Sequence, residues 1–196
     1  MDSSKGWTER VRRFAAALAL SALLAGCATA PPEPTDAGAA HPAAGAYAEA
    51  IAASRTGDPE AGAAALLAFV ERYPDVAEAH ASLGVLHARA GRDDAALASL
   101  ETALALDPAL PAAHNELGML HRRAGRFEQA RLAYARALDI DANHANAHRN
   151  LGVLYDLYLG KPAQALPHYE RYRELAVGED ALVAKWVTDL KRRIEQ

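Results

Sequence analysis

The chain has 196 residues, 51% of them hydrophobic, 23% charged and 6% aromatic, with a net charge of −4. That balance excludes a disordered chain and fits one modest globular domain with additions at its ends. The excess of acid argues against nonspecific nucleic-acid binding. A single cysteine cannot form an internal disulfide, and the abundance of alanine means that stability must come from close contacts among small side chains, which tightly packed helices supply.

Residues 1–26 read as an export signal. Lys5, Arg10, Arg12 and Arg13 form a cationic start, and Phe14 to Ala25 is apolar apart from Ser21. This run is too short for a bilayer-spanning helix, which needs about 20 residues. Phe14 follows Arg12-Arg13 directly, without the intervening residue of a twin-arginine signal, so the general secretory route is expected. Removing the segment takes away four bases and two acids and leaves a body of charge −6.

Leu24-Ala25-Gly26-Cys27 resembles a bacterial lipobox. Ala25 and Gly26 are small enough for a peptidase groove, Leu24 is an apolar anchor, and the chain's one cysteine stands where the thiol is needed. The resemblance implies that Cys27 is lipidated and becomes the mature N-terminus, with three acyl chains. Each buried CH₂ contributes about 0.8 kcal/mol, so such an anchor holds essentially permanently. Ala28 stands where the inner-membrane retention signal would place Asp, which implies the outer membrane, facing the periplasm. Residues 27–42, with Pro31, Pro32, Pro34 and Pro42 among Ala and Gly, read as the lipidated cysteine and a tether.

Beyond the tether the chain repeats itself every 34 residues: His80, His114 and His148; Leu83, Leu117 and Leu151; Gly84, Gly118 and Gly152. Gly91 and Gly125 continue to Gly160, Ala96 and Ala130 to Ala165, and Leu100 and Tyr134 to Tyr169, each last member one residue late. One insertion near Leu159 accounts for every shift.

This pattern resembles the tetratricopeptide repeat (TPR) family, whose unit is two antiparallel helices. Residues 77–110 carry Leu83-Gly84, Gly91, Ala96, Ala103 and Pro108, with His80 and His87 where the family has aromatics. Residues 111–144 carry Leu117-Gly118, Gly125, Ala130, Tyr134 and Ala137, with Ala142 in the proline place. Residues 145–178 keep Leu151-Gly152, Tyr155, Gly160, Ala165 and Tyr169, and Pro167 is expected to interrupt the second helix and bend the unit. Residues 43–76 keep Gly57, Leu66 and Pro74 but have Glu49-Ala50 for Leu-Gly, and so form a degenerate N-terminal repeat. In residues 179–196, Leu182, Val183, Trp186, Val187, Leu190 and Ile194 make an apolar stripe opposite Lys185, Lys191, Arg192 and Arg193, the pattern of a capping helix. The expected fold is all-α, a TPR solenoid with a C-terminal cap. Gly84 against Ala96 and Gly118 against Ala130 should let paired helices approach closely.

The resemblance also implies a concave groove floored by the first helices. Its ligand-facing places fall on Glu78, Ala81, Val85 and Ala88, then Ala112, Asn115, Met119 and Arg122, then Asn146, Arg149, Val153 and Asp156, with Arg89 and Arg123 one place further on. Val85, Met119 and Val153 offer apolar contact; Arg89, Asn115, Arg122, Asn146 and Arg149 offer donors, and Asp156 an acceptor. A peptide would suit such a floor. The Lys/Asn clamp for a C-terminal carboxylate is not reproduced, since Ala81 and Val85 take two of its places.

Eight histidines raise a rival reading, a metal-assisted hydrolase. His80 and His87, like His114 and His121, are seven apart, about two turns and 10 Å along one face, too far to share an ion. They occupy packing places, so half-buried structural histidines are expected. His144 and His148 have closer spacing, but His144 falls in a turn. No nucleophile motif or phosphate-binding glycine loop is present, and Asp93-Asp94 at a helix start suit capping and the helix dipole. The expectation is a non-enzymatic adaptor without metal or cofactor, held to the membrane by its lipid and binding a periplasmic or envelope protein or peptide. Pilus-assembly and cell-wall-hydrolase adaptors include lipoproteins of this kind.

Overall fold

The computed structural model describes residues 42–55, 59–178 and 180–196. The export signal, Cys27 and nearly all of the tether lie outside the described residues, as does Gly57. Among the described residues there is no strand, and nine α-helices follow one another: α1 Pro42–Ser54, α2 Pro59–Arg72, α3 Ala77–Arg89, α4 Asp93–Leu106, α5 Pro111–Arg123, α6 Phe127–Ile140, α7 Ala145–Val153, α8 Pro162–Leu175 and α9 Ala181–Ile194. None is long and apolar enough to cross a membrane.

Local chemistry sets these boundaries. Proline opens α5 and α8, where its missing N–H costs nothing. The turns within units close on Gly91 and Gly125, both at φ +72°, a left-handed conformation that glycine adopts without strain. The next residue bonds back across each turn, Arg92 N to His87 O at 2.9 Å and Arg126 N to His121 O at 2.8 Å. In the third unit the matching bond runs one residue further, from Lys161 N to Tyr155 O, because α7 continues into a π-helical turn over Leu154–Tyr158. That turn absorbs the inserted residue just before Leu159, without breaking the helix.

Two expectations are corrected and a third is refined. Pro167 does not interrupt the second helix of its unit: α8 runs through it, since an exposed proline removes one backbone donor and the freed carbonyl can turn to water. Asp93 and Asp94 make no capping bond; Arg92 holds the cap position, the acids lie in the first turn, and Asp93 pairs with Arg123 at 2.6 Å. The helices do approach closely, a Cβ at Gly84 standing 3.2 Å from Ala96 O, but the glycines of α3 and α5 meet larger side chains before the alanines. A Cβ at Gly84 would stand 2.7 Å from Leu100 Cγ; one at Gly118 would stand 2.9 Å from Tyr134 Cζ and nearer still to other carbons of that ring. Gly152 meets Tyr169 in the same way. The small residue makes room for the large one a turn beyond the alanine.

The helices pack as antiparallel pairs, α1 with α2, α3 with α4, α5 with α6 and α7 with α8, and each pair stacks on the next. Leu100, Tyr134 and Tyr169 are buried at the centres of successive units, flanked by fully covered Ala96, Ala103, Ala130, Ala137 and Ala165. Helix α9 closes the stack by burying Val183, Val187 and Leu190. Its stripe is narrower than expected, because Leu182 and Ile194 are exposed. Asp180 caps α9, accepting from the amides of Leu182 and Val183 at 3.1 Å.

Candidate ligand-binding inner face

The first helices of successive pairs touch one another, α3 with α5 and α5 with α7, and together make one face of the stack. Of the side chains that the resemblance places on this face, nine are expected to offer apolar contact, donors or an acceptor, and their surroundings divide them. Val85 is half-buried, while Arg89 and Asn146 are exposed. Met119 packs beside buried Tyr134 and Leu154, and Val153 beside Tyr169 and Val187.

The four others are committed to cross-unit contacts. Asn115, only 3% exposed, accepts a hydrogen bond from Asn150 Nδ2 at 2.9 Å. Arg122 donates to the Tyr158 hydroxyl at 2.9 Å, with its guanidinium 5.3 Å from that ring's centre. Its Nε is buried without a partner, and the Tyr134 hydroxyl beside it is likewise outside hydrogen-bond geometry. Burial pulls the Arg122 pKa down, but the two tyrosines more than offset this, so the guanidinium stays charged. Arg149 lies 5.8 Å over the Trp186 ring, and Asp156, its side chain 6% exposed, pairs with Arg193 of α9 at 2.8 Å. Asn115, Arg122, Arg149 and Asp156, expected as groove donors and acceptor, thus also tie one unit to the next.

A register underlies these ties, and the family pattern does not announce it. Tyr47, at the fifth place of α1's unit, bonds Ser82 at the sixth place of the next at 2.9 Å; Asn115 and Asn150 stand in the same relation. Between those two bonds the register pairs Ala81 with Glu116, and a methyl group makes no such bond. There the face opens into a cavity of about 250 Å³ lined by Tyr47, Ala81, Ser82, Val85, Leu110 and Ala112, with Glu78 and Ala113 completing it. Nearby, burial pushes the Glu116 carboxyl up, against the pull of Arg89 and Arg123.

The histidines follow the repeat. Nε2–H of His80 donates to the Pro74 carbonyl at 2.8 Å, that of His114 to Pro108 at 3.0 Å and that of His148 to Ala142 at 3.1 Å, since a carbonyl only accepts. Neutral His148 thus has a bare Nδ1, which accepts from Nδ1–H of His168 at 3.0 Å. Burial, and then His148, lowers His168 to about 4. His144 caps α7, accepting from Ala147 N at 3.2 Å. His87 and His121 keep unpartnered Nδ1 atoms and are lowered by burial and by Arg92 and Arg126 respectively. Among the described residues no three His, Cys, Asp or Glu side chains are placed to hold one metal ion.

Stacked helix pairs with an inner face open at one level define a helical-repeat scaffold. Two tetratricopeptide repeat family models match residues 47–111 and 109–176, which together span about two-thirds of the sequence, and the chain belongs to that family. Among solved structures it resembles pilF of Pseudomonas aeruginosa, with 24% identity, a TM-score of 0.69, and coverage of 78% of this chain and 69% of that one. The structure described as MamA RS-1 ArsTM double mutant gives 17% identity, a TM-score of 0.64 and coverage of 79% and 85%. The first TPR of Spaghetti (RPAP3), bound to the HSP90 peptide SRMEEVD, gives 18%, 0.57, 62% and 97%. At these identities the likeness is one of fold. No curated protein sequence matches the chain significantly.

Proposed function

We propose that this protein is an outer-membrane lipoprotein, anchored through Cys27 and facing the periplasm, whose repeat domain docks a peptide segment of an envelope protein and so helps to assemble or position a complex. The opening of the inner face between α3 and α5 carries the docking part of this reading: it is a concave, largely apolar recess on a scaffold whose neighbouring ties hold it in shape. A TPR bound to a peptide, as in the HSP90-peptide structure, supports it by analogy. The membrane part is supported by the cationic start, the short apolar run and Leu24-Ala25-Gly26-Cys27. As an adaptor the protein acts by binding and needs no reacting group.

Two measurements test the two parts. Cys27→Ser should leave an unprocessed precursor or release the protein from membranes; a mutant still processed and bound to the outer membrane would remove the anchor from the reading. A photo-crosslinking residue at Ala112 should form discrete adducts in intact cells while one at Arg136 on a second helix does not. Adducts from Arg136 alone would move recognition to the outer face.

A further inference from the structure

The missing tie between α3 and α5 has a size and a charge. Ala81 and Glu116 hold the places that Tyr47–Ser82 and Asn115–Asn150 occupy on either side, alanine has no group to make the bond, and Ala112 and Ala113 line the recess from the facing helix. The resulting 250 Å³ lies below the range of about 300–1,000 Å³ for clefts that enclose small-molecule ligands, and is the size of a single side chain with space around it. Its walls are apolar apart from the Tyr47 and Ser82 hydroxyls, which bond each other, and the Glu78 carboxylate. Among the described residues lining it, Glu78 alone is charged. That carboxylate is exposed, and no cation among the described residues stands within ion-pair distance of it.

We propose that this recess is the anchor subsite for a partner peptide, taking one bulky apolar side chain of the leucine, methionine or phenylalanine type, with a lysine or arginine beside it in the peptide that pairs with Glu78. The proposal rests on the reading of the inner face as a peptide-docking surface. A desolvated apolar anchor in a preformed pocket, flanked by a charge at the rim, supplies most of the affinity in interfaces of this kind, and the rim charge selects the partner. The preference for a cation follows from Glu78. A clamp for carboxylates would need the reverse charge at this level.

The test uses the purified full-length mature chain and fluorescent random hexapeptide pools whose two central positions are fixed as Leu-Lys, Leu-Glu or Ser-Lys. Anisotropy should show Leu-Lys binding at least tenfold more tightly than either of the others. Glu78→Lys should exchange the order of Leu-Lys and Leu-Glu. Ala81→Leu, which fills the recess from its wall, should weaken Leu-Lys binding at least tenfold; Ala112→Leu, at the exposed lip, should do the same and keeps the test sound if the first variant folds poorly. Equal binding of Leu-Lys and Ser-Lys, or unaltered Leu-Lys binding by a folded Ala112→Leu, overturns the anchor subsite while leaving a peptide groove in place. If none of the three pools binds, both the subsite and the groove reading fall.

Discussion

The two ends of the inner face are built from the same repeat yet differ in what they leave free. Toward the C-terminus, Asn115–Asn150, Arg122–Tyr158, Arg149–Trp186 and Asp156–Arg193 each carry a side chain from one unit to the next, and little of the floor stays available. Toward the N-terminus, the alanines Ala81 and Ala112 carry no polar group to tie across the gap, and a recess remains. Position in a repeat therefore tells where a side chain starts; its length and polarity decide whether it serves a ligand or the neighbouring unit. The physical cause is the cost of isolation. A half-buried guanidinium or amide beside another helix gains from any partner within reach, whereas an alanine has nothing to satisfy.

The largest effect should come from closing the space on which both ends depend. Gly118→Leu would push a side chain into the fully buried Tyr134 ring, which cannot swing away, and should cost about 3 kcal/mol or more in chemical denaturation. Pairing it with Tyr134→Ala should recover part of the loss. No recovery would show that the ring is not what the glycine accommodates.

Next in size is the tie itself. Asn115→Ala would strand the Asn150 amide in the interior and should cost about 1–3 kcal/mol. Tyr47→Phe, which removes the equivalent but more exposed bond, should cost less than about 1 kcal/mol. Equal losses would mean that the two ends are held alike, contrary to the comparison. By the same reasoning, charge reversal at Arg122 and Arg149 should lower the melting temperature as well as any binding, so these residues are poor reporters of recognition.

Acid should act most strongly on the C-terminal end, since His168 is lowered furthest, with smaller contributions from His87 and His121. An unfolded imidazole takes up a proton near 6.5, whereas His168 in the folded chain resists it until about 4. Folding then releases protons in that window, so stability is full above pH 6.5 and falls as pH is lowered toward 4. The groups around the pair include His144, Arg171, Asp141 and the stacked Tyr155. Melting curves at pH 7.5 and 5.0 should separate less for His168→Phe than for the wild type. Identical separations would mean that the His148–His168 contact does not govern acid sensitivity.

Much of the fold was legible in the sequence because glycine and large-residue spacing is a backbone requirement. Gly84, Gly118 and Gly152 mark close approaches, Gly91 and Gly125 mark left-handed turns, and even the insertion could be placed near Leu159, where the π turn lies just upstream. The inner face was less legible. Its fifth and sixth places lie side by side only after the units stack, and the pairing of residues 35 apart, Tyr47 with Ser82 and Asn115 with Asn150, is not the 34-residue period that reveals the repeat. The one-residue offset could have been sought by asking which polar residues recur at the period plus one. Pro167 misled for a different reason: a local rule about helix breaking yields when packing on both sides holds the helix and water can reach the freed carbonyl.

The smallest expected effect sharpens the comparison most. Ala112→Leu adds an exposed side chain at the lip of the recess, where Ala112 is exposed and lies outside the buried core. A surface substitution of this kind changes stability by about 0.5 kcal/mol or less, so the melting temperature should stay within a degree or two of wild type. A leucine at the matching place of the third unit, Asn146→Leu, should be equally silent in melting, since Asn146 is exposed too. The two variants should part in binding: only the first reaches the recess, so only the first should weaken a Leu-Lys peptide. If Ala112→Leu melts several degrees lower, the space between α3 and α5 is part of the packing between units, and the N-terminal end of the face is no more open than the C-terminal one.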